Sequence, residues 1–169
     1  MGIEPPQTHM WIPLSSSTAI ADLLTNFGGF HDACLREVAL ATETYVDEKR
    51  AMACPGNLDT SALLYFQRQS QDFPAIELRC TGVTQFRLRP TPDNCDSIIV
   101  GGTVATEGER LRLAVSFAGA PLKGPPNTWV ELPHRSLEDP DLEVVAQSMA
   151  WRSLNNALGD NLRYGVEKD

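Results

Sequence analysis

Basic residues are scarce in this chain of 169 residues: 14 Lys and Arg stand against 22 Asp and Glu, a formal net charge of -8. Binding to a nucleic-acid backbone requires a surplus of cations somewhere on the surface, so a general nucleic-acid binder is excluded. The same deficit argues against adhesion to an anionic membrane. No apolar run approaches the roughly 20 residues that a membrane-spanning helix needs. Residues 1–13 carry neither a basic start nor an apolar stretch, so no secretory leader is expected and the chain reads as cytoplasmic. Cysteine is sparse as well. Cys34, Cys54, Cys80 and Cys95 contain no pair at C-x-x-C spacing, which excludes zinc-ribbon and thioredoxin chemistry. In a reducing compartment all four are expected to be free thiols, with Cys34 and Cys80 packed on strands.

The signals of catalysis are missing too. No serine lies in a G-x-S-x-G elbow, and no cysteine has neighbours that would lower its pKa. There is no glycine-rich phosphate loop: Gly101-Gly102 lies within a strand pattern and reads as a bulge or a close backbone approach. The acidic run Glu138-Asp139-Pro140-Asp141-Glu143 lacks the glycine and spacing of a calcium loop and reads as a solvated turn. There are three histidines, His9, His31 and His134, and a metal site needs several His, Cys or carboxylate ligands at workable spacing. His31, Cys34 and His134 could converge only through tertiary structure, so neither a metal nor a cofactor is expected.

What is present is ordinary globular composition, 42% hydrophobic and 21% charged. A chain of this length buries about 70% of its unfolded surface and needs no staple to fold. Residues 1–14 read as a flexible N-terminal arm, 15–158 as a single globular domain and 159–169 as a C-terminal tail. Ser15 to Thr18 offer helix caps, and Ile20, Leu23, Leu24 and Phe27 follow on one helical face. Gly28 is the expected stop. Beyond it the period falls to two. Residues 42–59 are polar and irregular, with a turn at Pro55-Gly56-Asn57. Ala62–Arg68 begins apolar on both faces, as a central strand does. Ile76, Leu78 and Cys80 alternate with polar residues, and Phe86 and Leu88 do so in a further segment before Pro90. Residues 98–106 and 110–117 read as a hairpin about Glu107-Gly108-Glu109, and 128–132 reads as a short strand. Residues 142–154 fit a helix through Leu142, Val145 and Met149, and fit a strand equally well. The expected fold is α+β and mostly β: one twisted or wrapped antiparallel sheet of six to eight strands with a short N-terminal helix.

Two constellations merit weighing. His31-Asp32 follows the double glycine at the mouth of the first strand. An Asp can orient a His for general-base work, so these two are the catalytic candidates. In extended backbone, however, neighbours face opposite ways and would not touch; the plainer role is to satisfy backbone donors at the turn. Arg79, Arg87, Arg89, Arg110 and Arg112 all fall on polar strand faces. Brought together they would grip an acidic ligand or partner; the plainer role is cross-strand pairing with Glu77, Glu107 and Glu109.

The ordered pieces Gly29-Phe30-His31-Asp32-Ala33-Cys34-Leu35-Arg36-Glu37-Val38, Tyr45-Val46-Asp47, Met52, Phe66-Gln67-Arg68-Gln69, Ile76-Glu77-Leu78 and Ala146-Gln147-Ser148-Met149-Ala150-Trp151-Arg152 together resemble a family of small bacterial proteins with no assigned activity. The resemblance spans about residues 28–152. The Phe-His-Asp-Ala opening also resembles that of some immunity proteins of bacterial toxin systems. The family resemblance implies a final strand, not a helix, at the Trp-Arg segment. With the acidity and the lack of catalytic groups, the immunity resemblance implies a protein-interaction module, an immunity-type inhibitor, with a basic protein as partner and salt-sensitive association. Two other roles stay open: a small ligand-binding domain or enzyme built on His31 and Asp32, and a homodimer formed by pairing of strand edges.

Overall fold

The computed structural model describes residues 10–93, 95–119, 136–154 and 157–164. Local sequence sets the helix α1, Ser17–Asn26. Ser16 caps it, its Oγ accepting the Ala19 amide at 3.1 Å. Ile20, Leu23 and Phe27 are buried and Leu24 packs at the border of the same core. The helix ends ahead of the double glycine, with Phe27 as C-cap and one 3-10 turn, Gly28–Phe30, after it.

The strands are β1 (Ile12–Pro13), β2 (Ala33–Ala41), β3 (Tyr45–Val46), β4 (Met52–Ala53), β5 (Ser61–Arg68), β6 (Ala75–Leu88), β7 (Ile99–Glu107), β8 (Arg110–Phe117) and β9 (Leu142–Ser153). Seven form one antiparallel sheet in the order β1-β9-β6-β5-β2-β7-β8. Because β8 also pairs with β9, six of them close into a barrel. The chain is thus mostly β with one short helix, and the expected wrapping goes to closure. That closure is uneven. β6 and β9 share eleven paired residues, whereas β2 and β7 meet only at Ala33–Ile99.

Inward-facing side chains alternate around the ring, as a small barrel requires. Leu64 and Phe66 from β5, Ile76 and Leu78 from β6, Leu113 and Val115 from β8, and Leu142 and Val144 from β9 belong to one core, joined by Leu23, Phe27 and Phe30. Phe27, Phe30 and Phe66 meet edge to face, with ring centroids 5.1–6.5 Å apart. Gly102 makes room for them. A Cβ there would lie 3.0 Å from the Phe30 ring, so Gly102 is a close backbone approach. The ladder slips just before the double glycine, between Ile99 and Gly101, where Val100 is the extra residue.

The segments 76–81 and 86–89, distinct in the sequence pattern, are joined in one 14-residue strand through Leu88. Gly82 bends that strand instead of ending it, at φ +61°, with Gln147 so close that a Cβ would lie 2.5 Å from its Oε1. Opposite the bend, β9 changes phase. Leu142, Val144 and Ala146 are buried, Gln147 and Ser148 are both exposed, and Met149 and Trp151 are buried again. This slip explains why 142–154 also fits a helical period; it is strand throughout β9. There β9 also exchanges neighbours, from β8 (through Leu111–Ala146) to β1 (Ile12–Trp151, Pro13–Ala150). The boundary expected at residue 14 falls within packed structure: Leu14 is buried and its amide donates to the Met149 carbonyl at 2.9 Å. The strand expected at 128–132 lies outside the described residues.

Cys80 faces the interior, and burial pushes its thiol up to about 12. Cys54 is exposed. A thiol reagent at pH 8 is expected to modify Cys54 promptly and Cys80 only as denaturant unfolds the chain. Prompt modification of Cys80 would mean that the barrel interior admits solvent.

Candidate functional site

His31 and Asp32 occupy a turn before β2, and Asp32 has φ +57°. The turn puts both side chains on one side, with His31 Nδ1 3.1 Å from Asp32 Oδ2. The expectation that they would not touch assumes extended backbone and is corrected by this turn. Both side chains are more than half exposed. Their backbone groups hold the barrel seam: the Asp32 amide donates to the Ile99 carbonyl, the Asp32 carbonyl accepts from Gln69, and Arg68 Nε donates to the His31 carbonyl.

The five strand arginines do not form one patch. Arg79 lies against Trp11, its guanidinium carbon 4.4 Å from the ring centroid, and Arg152 lies 4.5 Å from the same ring. Arg110 reaches Thr84 Oγ1 at 3.4 Å. Arg87, Arg89 and Arg112 do converge, but on carboxylates. Glu143, nearly buried, receives Arg112 (2.6 and 2.7 Å), Arg87 (3.2 Å) and the Gln85 amide (2.6 Å). Asp139 receives Arg87 and Arg89, and hydrogen bonding from Arg89 holds its carboxyl below the usual range. Glu107 lies 3.6 Å from Arg112. Carboxylate pairing is therefore the main engagement of Arg87, Arg89 and Arg112, but of the expected partners only Glu107 takes part among the described residues. The chief ones are Glu143 on β9 and Asp139 in the turn before it, while Glu77 pairs with Arg152 instead.

Glu77 serves a different cluster on the outer face of the sheet. It is only 2% exposed. Arg152 binds it through Nε at 2.7 Å and a terminal nitrogen at 2.5 Å, and the Tyr164 hydroxyl donates to it at 2.8 Å. Burial, reinforced by the Glu77 carboxylate, holds the Tyr164 phenol well above its ordinary range. Glu37 accepts the amides of Arg163 and Tyr164, while Tyr65 and Gln67 donate to the Ala157 carbonyl. These bonds lay residues 157–164 across β2, β5 and β6 as a strap.

A cleft of about 410 Å³ opens where β9 changes neighbours, between the start of α1 and the Gly108–Arg110 turn. Leu14, Ile20, Leu111 and Met149 supply apolar walls, and Ser15–Ser17, Gln147 and Ser148 add polar ones. Among the described residues no group of three or more His, Cys, Asp or Glu is placed to hold a metal ion, and no helix is long and apolar enough to cross a membrane.

The most unusual surface is the hairpin β3–β4, inserted between the paired strands β2 and β5. Val46 lies opposite Met52 and Tyr45 opposite Ala53. Tyr45 is 62%, Val46 59% and Met52 65% exposed. A two-stranded hairpin has little stability of its own in water, and this one is pinned by polar bonds. Asp47 Oδ1 accepts the amides of Lys49 and Ala51, and the Asp47 amide donates to the Ala51 carbonyl. At the base Thr44 donates to Asp59 at 2.6 Å, which lowers the Asp59 pKa. Residues 42–60 carry Glu43, Asp47, Glu48 and Asp59 against Lys49 and Arg50. In sequence the segment looks irregular because each strand is two residues long; its one usable signal is Tyr-Val and Met-Ala flanking a turn-forming Asp47.

No family model, no curated protein and no solved structure matches the chain.

Proposed function

We propose that this chain is a protein-interaction module that holds a basic partner through the β3–β4 hairpin, acting in the cytoplasm. The observation that carries the reading is the exposure of Tyr45, Val46 and Met52 on a hairpin with a local surplus of carboxylates. Exposed aromatic and Met side chains set among charges are typical of binding surfaces. The net charge of -8 favours encounter with a cationic partner and makes association salt-dependent. An immunity-type inhibitor is the specific form this reading takes, supported by the resemblance of the Phe30–Ala33 opening. The unpaired state of all four cysteines supports a reducing compartment.

The test is affinity capture from the native lysate at low and high salt, using the natural chain and a Val46→Asp/Met52→Asp variant. A single stoichiometric basic protein, released by salt, is the expected catch. The variant is expected to weaken binding by about 2 kcal/mol or more, roughly 30-fold. Its stability should change by no more than about 0.5 kcal/mol, since both side chains are exposed. Equal capture by the variant would remove the hairpin from the interface.

A further inference from the structure

We propose that β2 is an acceptor edge, to which the partner adds an extended segment as a new strand beside Val38–Ala41. The proposal deepens the interaction reading above and rests on it. Beyond the single pair Ala33–Ile99, β2 has β5 on one side and no strand on the other among the described residues. In an extended strand, alternate N–H and C=O groups point toward that open side, and another polypeptide backbone is the ligand that satisfies such a row.

Natural edges protect themselves with lysine, proline, inward charges or bulges. The single bulge in β2 lies at Arg36, before the open stretch. Arg36 and Glu37, its two charges, are engaged by the strap, through the Asp160 carbonyl and the amides of Arg163 and Tyr164. The open stretch itself, Val38-Ala39-Leu40-Ala41, has neither charge nor proline. Leu40 pairs with Ala62 and thus faces the interior side, yet it is 49% exposed because the barrel is split at this point. Val38 is half-buried against the same core. An added strand would cover both from one face, while small Ala39 leaves the other face open for bulky side chains.

Charge selects among occupants. The edge runs directly into Glu43 and the acidic hairpin, and a second copy would bring another chain of net charge -8 to the same place. An extended segment alternating apolar and cationic residues fits both the apolar side and the acidic end.

The probe is a capped heptapeptide alternating lysine and valine, with a second version N-methylated at every residue so that it keeps its charge but has no N–H on either edge to form a ladder. Amide exchange and chemical shifts are followed along the ¹⁵N-labelled chain. The expected result is that exchange at amides within 38–41 slows by about tenfold or more, and that the N-methylated peptide loses this protection. Shifts confined to 43–53, equal effects from both peptides, or no binding at millimolar peptide would each overturn strand addition while leaving the capture test of the hairpin standing. Sedimentation as a dimer at micromolar concentration, with protected 38–41 amides, would assign the edge to a second copy and overturn the proposal as well.

Discussion

Phe66→Ala is expected to destabilise the fold by about 4 kcal/mol, read as a lowered urea midpoint with unchanged slope. Phe66 is fully buried in the second half of β5, its ring 5.1 Å from Phe30 and 6.5 Å from Phe27. Truncation removes the hydrophobic transfer of a whole ring and leaves a cavity that its neighbours cannot readily fill. Phe27 is held by the helix end and Phe30 by close contact with Gly102. The same ring joins α1 to the barrel, so the loss should loosen the helix as well as the sheet. A loss below about 1.5 kcal/mol would show that this end of the core collapses around the gap.

The second large effect is expected at Glu77. Glu77→Ala removes the acceptor shared by Arg152 and the Tyr164 hydroxyl, in a site where the carboxylate is 2% exposed. Breaking a buried pair from one side leaves the other charge uncompensated, at a cost of about 3–5 kcal/mol. The Arg152 side chain retains 20% exposure, which places the expected loss near the lower end, about 3 kcal/mol. The strap should loosen together with it, measured as faster proteolysis within 157–164. The double variant Glu77→Ala/Arg152→Ala is expected to be less destabilised than the two single losses added together, because it leaves no orphaned charge. Strict additivity would mean that the two residues act independently.

How much of the fold is legible in the sequence depends on how local its cause is. α1 is legible because its cap, its apolar face and its stop are contiguous, and the β7–β8 hairpin because Gly108 stands between two alternating runs. The length of β6 is not. Glycine commonly interrupts a strand, and only the packing of Gln147 against Gly82 shows that here it bends one. β9 conceals its type through a phase slip that serves a change of neighbours, which no local pattern announces. At the candidate site, the contact between His31 and Asp32 depends on a left-handed backbone at Asp32, an uncommon state for any residue other than glycine. The chief partners of Arg87, Arg89 and Arg112 lie 31 or more residues away, at Asp139 and Glu143, in a segment whose sequence reads as a solvated turn. The β3–β4 hairpin is hidden because four strand residues are too few to show a period. That β2 has a strand on one side only beyond Ala33, among the described residues, is a property of the ring and becomes visible only when all six strands are in place.

The order of strands around that ring divides the chain in two. β2, β5 and β6 form one meander and β7, β8 and β9 the other, so each half is assembled from hairpin neighbours. They meet along the long β6–β9 ladder and touch again at Ala33–Ile99. The only chain between them runs from Arg89 to Ile98. A cut in this link would leave both meanders whole, so that two separate fragments could recognise one another by β6 and β9 and rebuild the closed barrel.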